Sequence, residues 1–124
     1  MSLTVPFEVG RALYRLGAAP EPVLWQRTAL TIADIQHATT LEFGCTVGDI
    51  KGLSRHKRIA RPRQVAMYLA RDLLARTWAE IGRAHGSRDH TTAMHGYRAI
   101  LKAVEVDSEM AGRVAAVKQR LGVG

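Results

Sequence analysis

Between Thr31 and Leu121 apolar positions recur at helical spacing, and no stretch of the chain alternates apolar and polar residues as a half-buried strand would. Thr31 suits the N-cap of a first helix, with Asp34 placed to complete a carboxylate form of the capping box. Ile32, Ile35, Ala38 and Leu41 follow on its apolar face, and Gly44 stops it. Thr46 to Ile50 gives a further short turn of helix. A basic stretch then reads as a loop running into Pro62, which fits the first turn of the next helix. Val65, Tyr68, Leu69, Leu73 and Leu74 give that helix a strong apolar face through Arg76.

From Thr77 the pattern tightens. Thr77 caps a helix with Glu80 at its third position; Trp78, Ile81 and Ala84 or His85 mark the inner face, and Gly86 ends it. Asp89 or a neighbour opens another helix, with Met94, Tyr97, Ile100, Leu101 and Val104 as apolar positions. Asp107-Ser108 starts a last one, in which Met110, Val114, Val117 and Leu121 share a face while Lys118 and Arg120 suit the negative end of the helix dipole. Upstream, the pattern predicts a short helix over residues 7–16, weakened by Gly10, and the segment from Gly17 to Pro22 reads as a linker. The expected organisation is all-α. Residues 1–29 are an N-terminal extension with a proline-containing linker, and residues 30–124 a compact helical domain.

Charge changes this picture. The chain carries a net +7 with a pI near 10.3, and much of the excess lies between Lys51 and Arg63. That stretch holds Lys51, Arg55, Lys57, Arg58, Arg61 and Arg63 with no acidic residue, an electrostatic footprint suited to a polyanion. No apolar run approaches the roughly 18 residues of a membrane span, and the N-terminus lacks the pattern of a secretory signal. With Cys45 as the single cysteine there is no internal disulfide, so a cytoplasmic, nucleoid-associated protein is expected. Cys45 itself reads as a small buried residue.

Catalysis, metal and cofactor are not expected. His85, His90 and His95 are spaced so that each turns about 140° from the last on a helix, which prevents convergence on one ion. Asp89 and His90 diverge by about 100°, and Ser87 has no identifiable oxyanion donors. No GxxxxGK[ST] loop is present to hold a nucleotide phosphate. Trp78 and Tyr68 fall on apolar faces and read as core residues rather than stacking platforms.

Two helices joined by a short glycine-containing turn describe a helix-turn-helix, here Thr77–His85, the turn Gly86-Ser87-Arg88, and a second helix from Asp89 to about Val104. The second helix opens on Arg88, Asp89, His90, Thr91 and Thr92, more polar groups in succession than a cap requires. At such a position side chains enter the major groove, where Asp can accept from cytosine and Thr can meet thymine. Asp89 serves either as the N-cap alone or as cap and base contact together.

The segments RIARPRQVAMYLARDL and SRDHTTAMHGYRAI, with Glu80-Ile81-Gly82 between them, resemble the C-terminal DNA-binding domain of the bacterial replication initiator DnaA. The resemblance covers about Leu30 to Leu121, and its ungapped ARPRQ and RDHTT blocks are specific to that family. It implies that Arg88, Asp89, His90, Thr91 and Thr92 contact bases in the major groove and that Arg55 enters the neighbouring minor groove. It also implies that Lys57, Arg58, Arg61, Arg63, Gln64, Arg71 and His95 hold the phosphate backbone or support the loop. The implied target is double-stranded DNA carrying a box close to TTATNCACA, bound by a monomer on a single box.

Ser87 stands where the family more often has a second glycine, Trp78 where it has a smaller aliphatic residue, and His56 and Arg58 alter the basic loop. The ATPase part is missing, and the first thirty residues do not resemble the lid that precedes this domain. The expected protein is therefore a free-standing reader of origin boxes that regulates replication initiation or transcription. Its N-terminal extension is expected to dock on the domain, dimerise it or tether a protein partner. The alternative is a basic interaction module contacting an acidic protein or anionic lipid.

Overall fold

The computed structural model describes residues 29–53 and 56–123, which form helices and turns with no strand among them. In chain order the helices are α1 (Ile32–Phe43), α2 (Val47–Lys51), α3 (Lys57–Leu74), α4 (Trp78–Ala84), α5 (His90–Val106) and α6 (Ser108–Leu121). The all-α expectation holds, and the helix-turn-helix is α4 and α5. The proposed helix and linker of residues 1–28 lie outside the described residues.

Three helices start by the same local device. The hydroxyls of Thr31, Thr46 and Thr77 accept the N–H of Asp34, Asp49 and Glu80, whose carboxylates return to the threonine N–H groups at 3.0 Å. Each box satisfies two donors that a helix start leaves open, and losing such a cap costs about 1 kcal/mol. Asp107 caps α6 through the N–H groups of Glu109 and Met110.

Helix α3 is the central element, packed by α1, α2, α4 and α5. That surround explains why Val65 through Ala70 are all buried, where the sequence pattern suggested a single face. Around it gather Ile35, Ala38, Ile81, Ala93, Ile100, Val114 and Val117. Tyr68 stacks on Tyr97 at 5.3 Å between centroids, and Trp78 meets Tyr97 edge-on at the same distance, so both expected core aromatics belong to one cluster.

Several expectations need correction. Helix α3 begins at Lys57, so Pro62 lies inside it rather than in its first turn, and the second half of the basic stretch is helical. The N–H groups of Ile59 and Ala60 both reach the His56 carbonyl, at 2.9 and 2.7 Å, which closes the first turn without the donor Pro62 lacks. Leu41 is exposed, and the inner face of α1 is instead Ile35, Gln36, Ala38, Thr39 and Thr40. The buried polar groups there are satisfied: Gln36 Nε2 donates to the Ala84 carbonyl at 2.9 Å and the Thr39 hydroxyl to the Ile35 carbonyl at 2.7 Å. In α5, Ala93 and Gly96 are buried while Leu101 is exposed, and Cys45 is only half-buried.

Helix α3 ends on Ala75 in the left-handed region, at φ 53°. A side chain there costs roughly 1–2 kcal/mol, and glycine returns part of the relief through its freer unfolded chain. Ala75 is exposed, so no packing is lost on its removal. Ala75→Gly is expected to raise unfolding stability by about 0.5–1 kcal/mol in urea titration. A loss of stability would show that the position carries no strain.

Candidate nucleic-acid interface

The turn between α4 and α5 is closed by backbone contacts. The Arg88 N–H reaches the Gly82 carbonyl at 2.8 Å, and Gly86 and Ser87 both adopt positive φ, 89° and 57°. At Gly82 a Cβ would stand 2.2 Å from the Arg88 carbonyl oxygen, so the turn folds back onto bare backbone. At Gly86 a Cβ would stand 2.2 Å from the Lys51 carbonyl oxygen. The helix-turn-helix turn is thus pressed against the end of α2, where the basic loop begins. Ser87 keeps the left-handed turn conformation that glycine would adopt, without glycine's freedom.

His85 caps α4 and is fully buried. Its Nδ1 lies 2.7 Å from the Ile81 carbonyl, which only accepts, so Nδ1 carries the proton and donates. Nε2 is buried without a partner among the described residues. Burial, reinforced by Arg88, Arg63 and Lys51 nearby, pushes the imidazole down to about 4 against the bond to Ile81. The ring is a neutral part of the turn's core. The sequence left it as one of two candidates for the inner face.

Helix α5 presents an exposed polar edge at its start. Asp89 is the N-cap, and its Oδ1 accepts from the Thr92 N–H at 2.9 Å, the Thr91 hydroxyl at 2.8 Å and the Thr92 hydroxyl at 3.1 Å. These bonds hold the carboxyl at about 2, well below its ordinary value. His90, Thr91 and Thr92 are exposed beside it, and His95 is exposed a turn further along. The expected reading edge is therefore continuous on the surface, apart from Arg88.

Arg88 departs from the expectation of an outward base contact. Its guanidinium turns inward, Nη2 donating to the Gly52 carbonyl at 2.6 Å and Nη1 to the His85 carbonyl. Arg63 is likewise buried, with Nε on the Ile50 carbonyl at 2.7 Å and Nη2 on those of Asp49 and Gly52 at 3.1 and 3.2 Å. Those are the C-terminal carbonyls of α2, so Arg63 supports the loop and is not a surface cation. Burial lowers the pKa of both arginines, yet a guanidinium stays charged.

The remaining expected residues divide between solvent and scaffold. Arg58 is exposed, and Arg61 is half-buried with Nη1 on Gln64 Oε1 at 3.2 Å. Gln64 and His95 line one cleft with Ala60, Arg88 and Thr92, between α3 and α5. Leu53, Gly86 and Ser87 line its neighbour, bringing the loop stem beside the start of α5. Arg71 donates to the Arg76 carbonyl at 2.9 Å and lies 4.3 Å over the Trp78 ring, holding the α3–α4 connection. Lys57 opens α3, and Arg55 lies outside the described residues.

The sequence matches the family described as bacterial dnaA protein helix-turn-helix over residues 32–100. The chromosomal replication initiator protein DnaA of Sphingopyxis alaskensis is 40% identical over 101 residues, 82% of this chain and 22% of that protein. The protein of the same name from Cereibacter sphaeroides is 44% identical over 92 residues, 74% of this chain and 20% of its own. That of Lactobacillus delbrueckii subsp. bulgaricus is 33% identical over 114 residues, 92% and 25%. The chain spans a fifth to a quarter of the length of these curated relatives.

Two outcomes test the turn itself. Because His85 binds its proton less readily folded than unfolded, acid favours the unfolded chain. Stability should fall as pH drops from about 6.5 to about 4 and then level for this group. The loss is on the order of 3 kcal/mol, and urea titrations across that range should show it in the native protein but not in His85→Gln. An unchanged slope in the variant would assign the loss elsewhere. Gly82→Ala should destabilise by about 3 kcal/mol, since its new carbon meets backbone that cannot step aside; a neutral result in thermal melts would mean that the turn opens freely.

Proposed function

The chain belongs to the bacterial DnaA helix-turn-helix family, and from that premise we propose that it binds duplex DNA sequence-specifically at boxes close to TTATNCACA. On this reading it acts in replication initiation, occupying or competing for such sites or regulating transcription from them. The observation that carries the proposal is the exposed edge Asp89-His90-Thr91-Thr92 at the start of α5, set on a turn locked by backbone contacts. An ionised Asp89 is acceptor-only, matching a cytosine amino group, and threonines match the thymine methyl or a base acceptor. Phosphate contacts from exposed cations such as Arg58, and from Arg61, Gln64 and His95 along the cleft, supply affinity and register. Arg55 reads the minor groove, and one copy of the domain takes one box.

Fluorescence-anisotropy titration against a duplex carrying TTATCCACA and a scrambled duplex, at near-physiological salt, tests this. A preference of about several hundred-fold or more supports a sequence reader. Equal binding leaves a basic DNA-coating protein. Binding to neither moves the search to an acidic protein or an anionic lipid surface.

Asp89→Asn sharpens the test, because asparagine caps as well as aspartate but exchanges one acceptor for donors. It should cost about 1–3 kcal/mol on the preferred duplex and relax selectivity, with little change in melting temperature. Thr91→Ala should act similarly. Uniform losses on every duplex would reduce both residues to support of the fold.

A further inference from the structure

Two arginines far apart in sequence converge on one carbonyl. Gly52 O accepts from Arg88 Nη2 at 2.6 Å and from Arg63 Nη2 at 3.2 Å. Arg63 continues to the carbonyls of Ile50 and Asp49, and Arg88 to that of His85. The adjacent Lys51 carbonyl faces Gly86 so closely that a Cβ there would stand 2.2 Å away. The residues gripped, Lys51 and Gly52, are the stem of the basic loop that carries Arg55. The residues gripping, Gly86 and Arg88, adjoin Asp89, the start of α5.

Two guanidinium groups side by side repel each other, and burial penalises both charges. The negative end of α2 offsets this, because its terminal carbonyls have no donors within the helix. A planar fork reaches carbonyls of two separate segments at fixed angles and at the full length of the guanidinium, and a lysine ammonium keeps the charge without that geometry.

We propose that Arg88 and Arg63 are positioning residues, clamping the stem of the basic loop to the helix-turn-helix turn through the shared Gly52 carbonyl. The clamp fixes the loop stem at Gly52 relative to the start of α5, the element reading the major groove. This rests on the DNA-reading proposal for its consequence, though not for its geometry. It gives Arg88 and Arg63 a share in affinity without a DNA contact. Specificity then depends on both reading elements arriving in register.

The test has two arms. In the first, the amide resonance of Leu53, whose peptide group contains the Gly52 carbonyl, is followed in the DNA-free protein. Arg88→Lys and Arg63→Lys should both shift it, with helical circular dichroism retained. In the second, box binding is measured for Arg88→Lys with Arg55 present and after Arg55→Ala, as a double-mutant cycle. With Arg55 present the loss should be about ten-fold, and without it less than about three-fold. If Arg63→Lys fails to fold, the half-buried Arg88→Lys decides alone.

A Leu53 resonance unmoved by Arg88→Lys overturns the clamp whatever the DNA result. Equal losses in both Arg55 backgrounds overturn the positioning role and make Arg88 a DNA contact. If the unaltered protein cannot tell the box from its scrambled control, the DNA-reading proposal fails, while the Leu53 resonance still decides the clamp.

Discussion

Helix α2 is five residues long, so nearly all of its carbonyls lack a donor of its own, and its C-terminal end lies beside the core. Arg63 answers that shortage from inside α3, bringing two of its nitrogens to the Asp49, Ile50 and Gly52 carbonyls. A charged group at a buried site is tolerated only when hydrogen-bonded in this way. The same bonds fix the direction in which the chain leaves α2, and hence where the basic loop starts. Without Arg63, the Ile50 carbonyl would need water or another donor, and the stem would lose its register with α3.

The turn between α4 and α5 obeys a related constraint, that of backbone approaching backbone. Gly82 lets the Arg88 carbonyl come close, Gly86 does the same for Lys51, and His85 fills the space beneath as a neutral ring. Gln36 of α1 donates to the Ala84 carbonyl from below. Four segments therefore converge on one turn: α1, the end of α2, α4 and the start of α5. This is why the exposed edge of α5 is carried by a rigid support rather than by a loop.

Much of the fold was legible because its signals are local. Thr31 with Asp34 and Thr77 with Glu80 announce their helices within four residues, and Asp107 with its apolar face announces α6. The polar run from Asp89 to Thr92 was legible for the same reason, being one surface of one helix start. What failed depended on neighbours. Leu41 looked like core, but the elements packed on α1 bury Gln36 and Thr39 instead, each with a carbonyl to bond. Pro62 looked like a helix start, but an earlier turn forms on the His56 carbonyl. Arg88 reads as a base contact, and Arg63 as either a phosphate holder or a loop support, because nothing near them in sequence shows that carbonyls 36 and 11 residues away lie within their reach.

The consequence reaches Asp89. Its Oδ1 gathers the Thr92 N–H and two threonine hydroxyls, which fixes the carboxylate plane and orients both threonines before any ligand arrives. The same bonds hold the group ionised down to about pH 2, so it is an acceptor throughout the working range. Oδ2 stands outside these bonds, on an exposed residue. Side chains already immobilised lose less entropy on binding than free ones do, so such an edge discriminates between ligands at lower entropic cost. Capping and reading then need not compete at this residue, since each uses a different oxygen. Asparagine at position 89 would keep the capping oxygen and change the other group, which separates the two roles chemically.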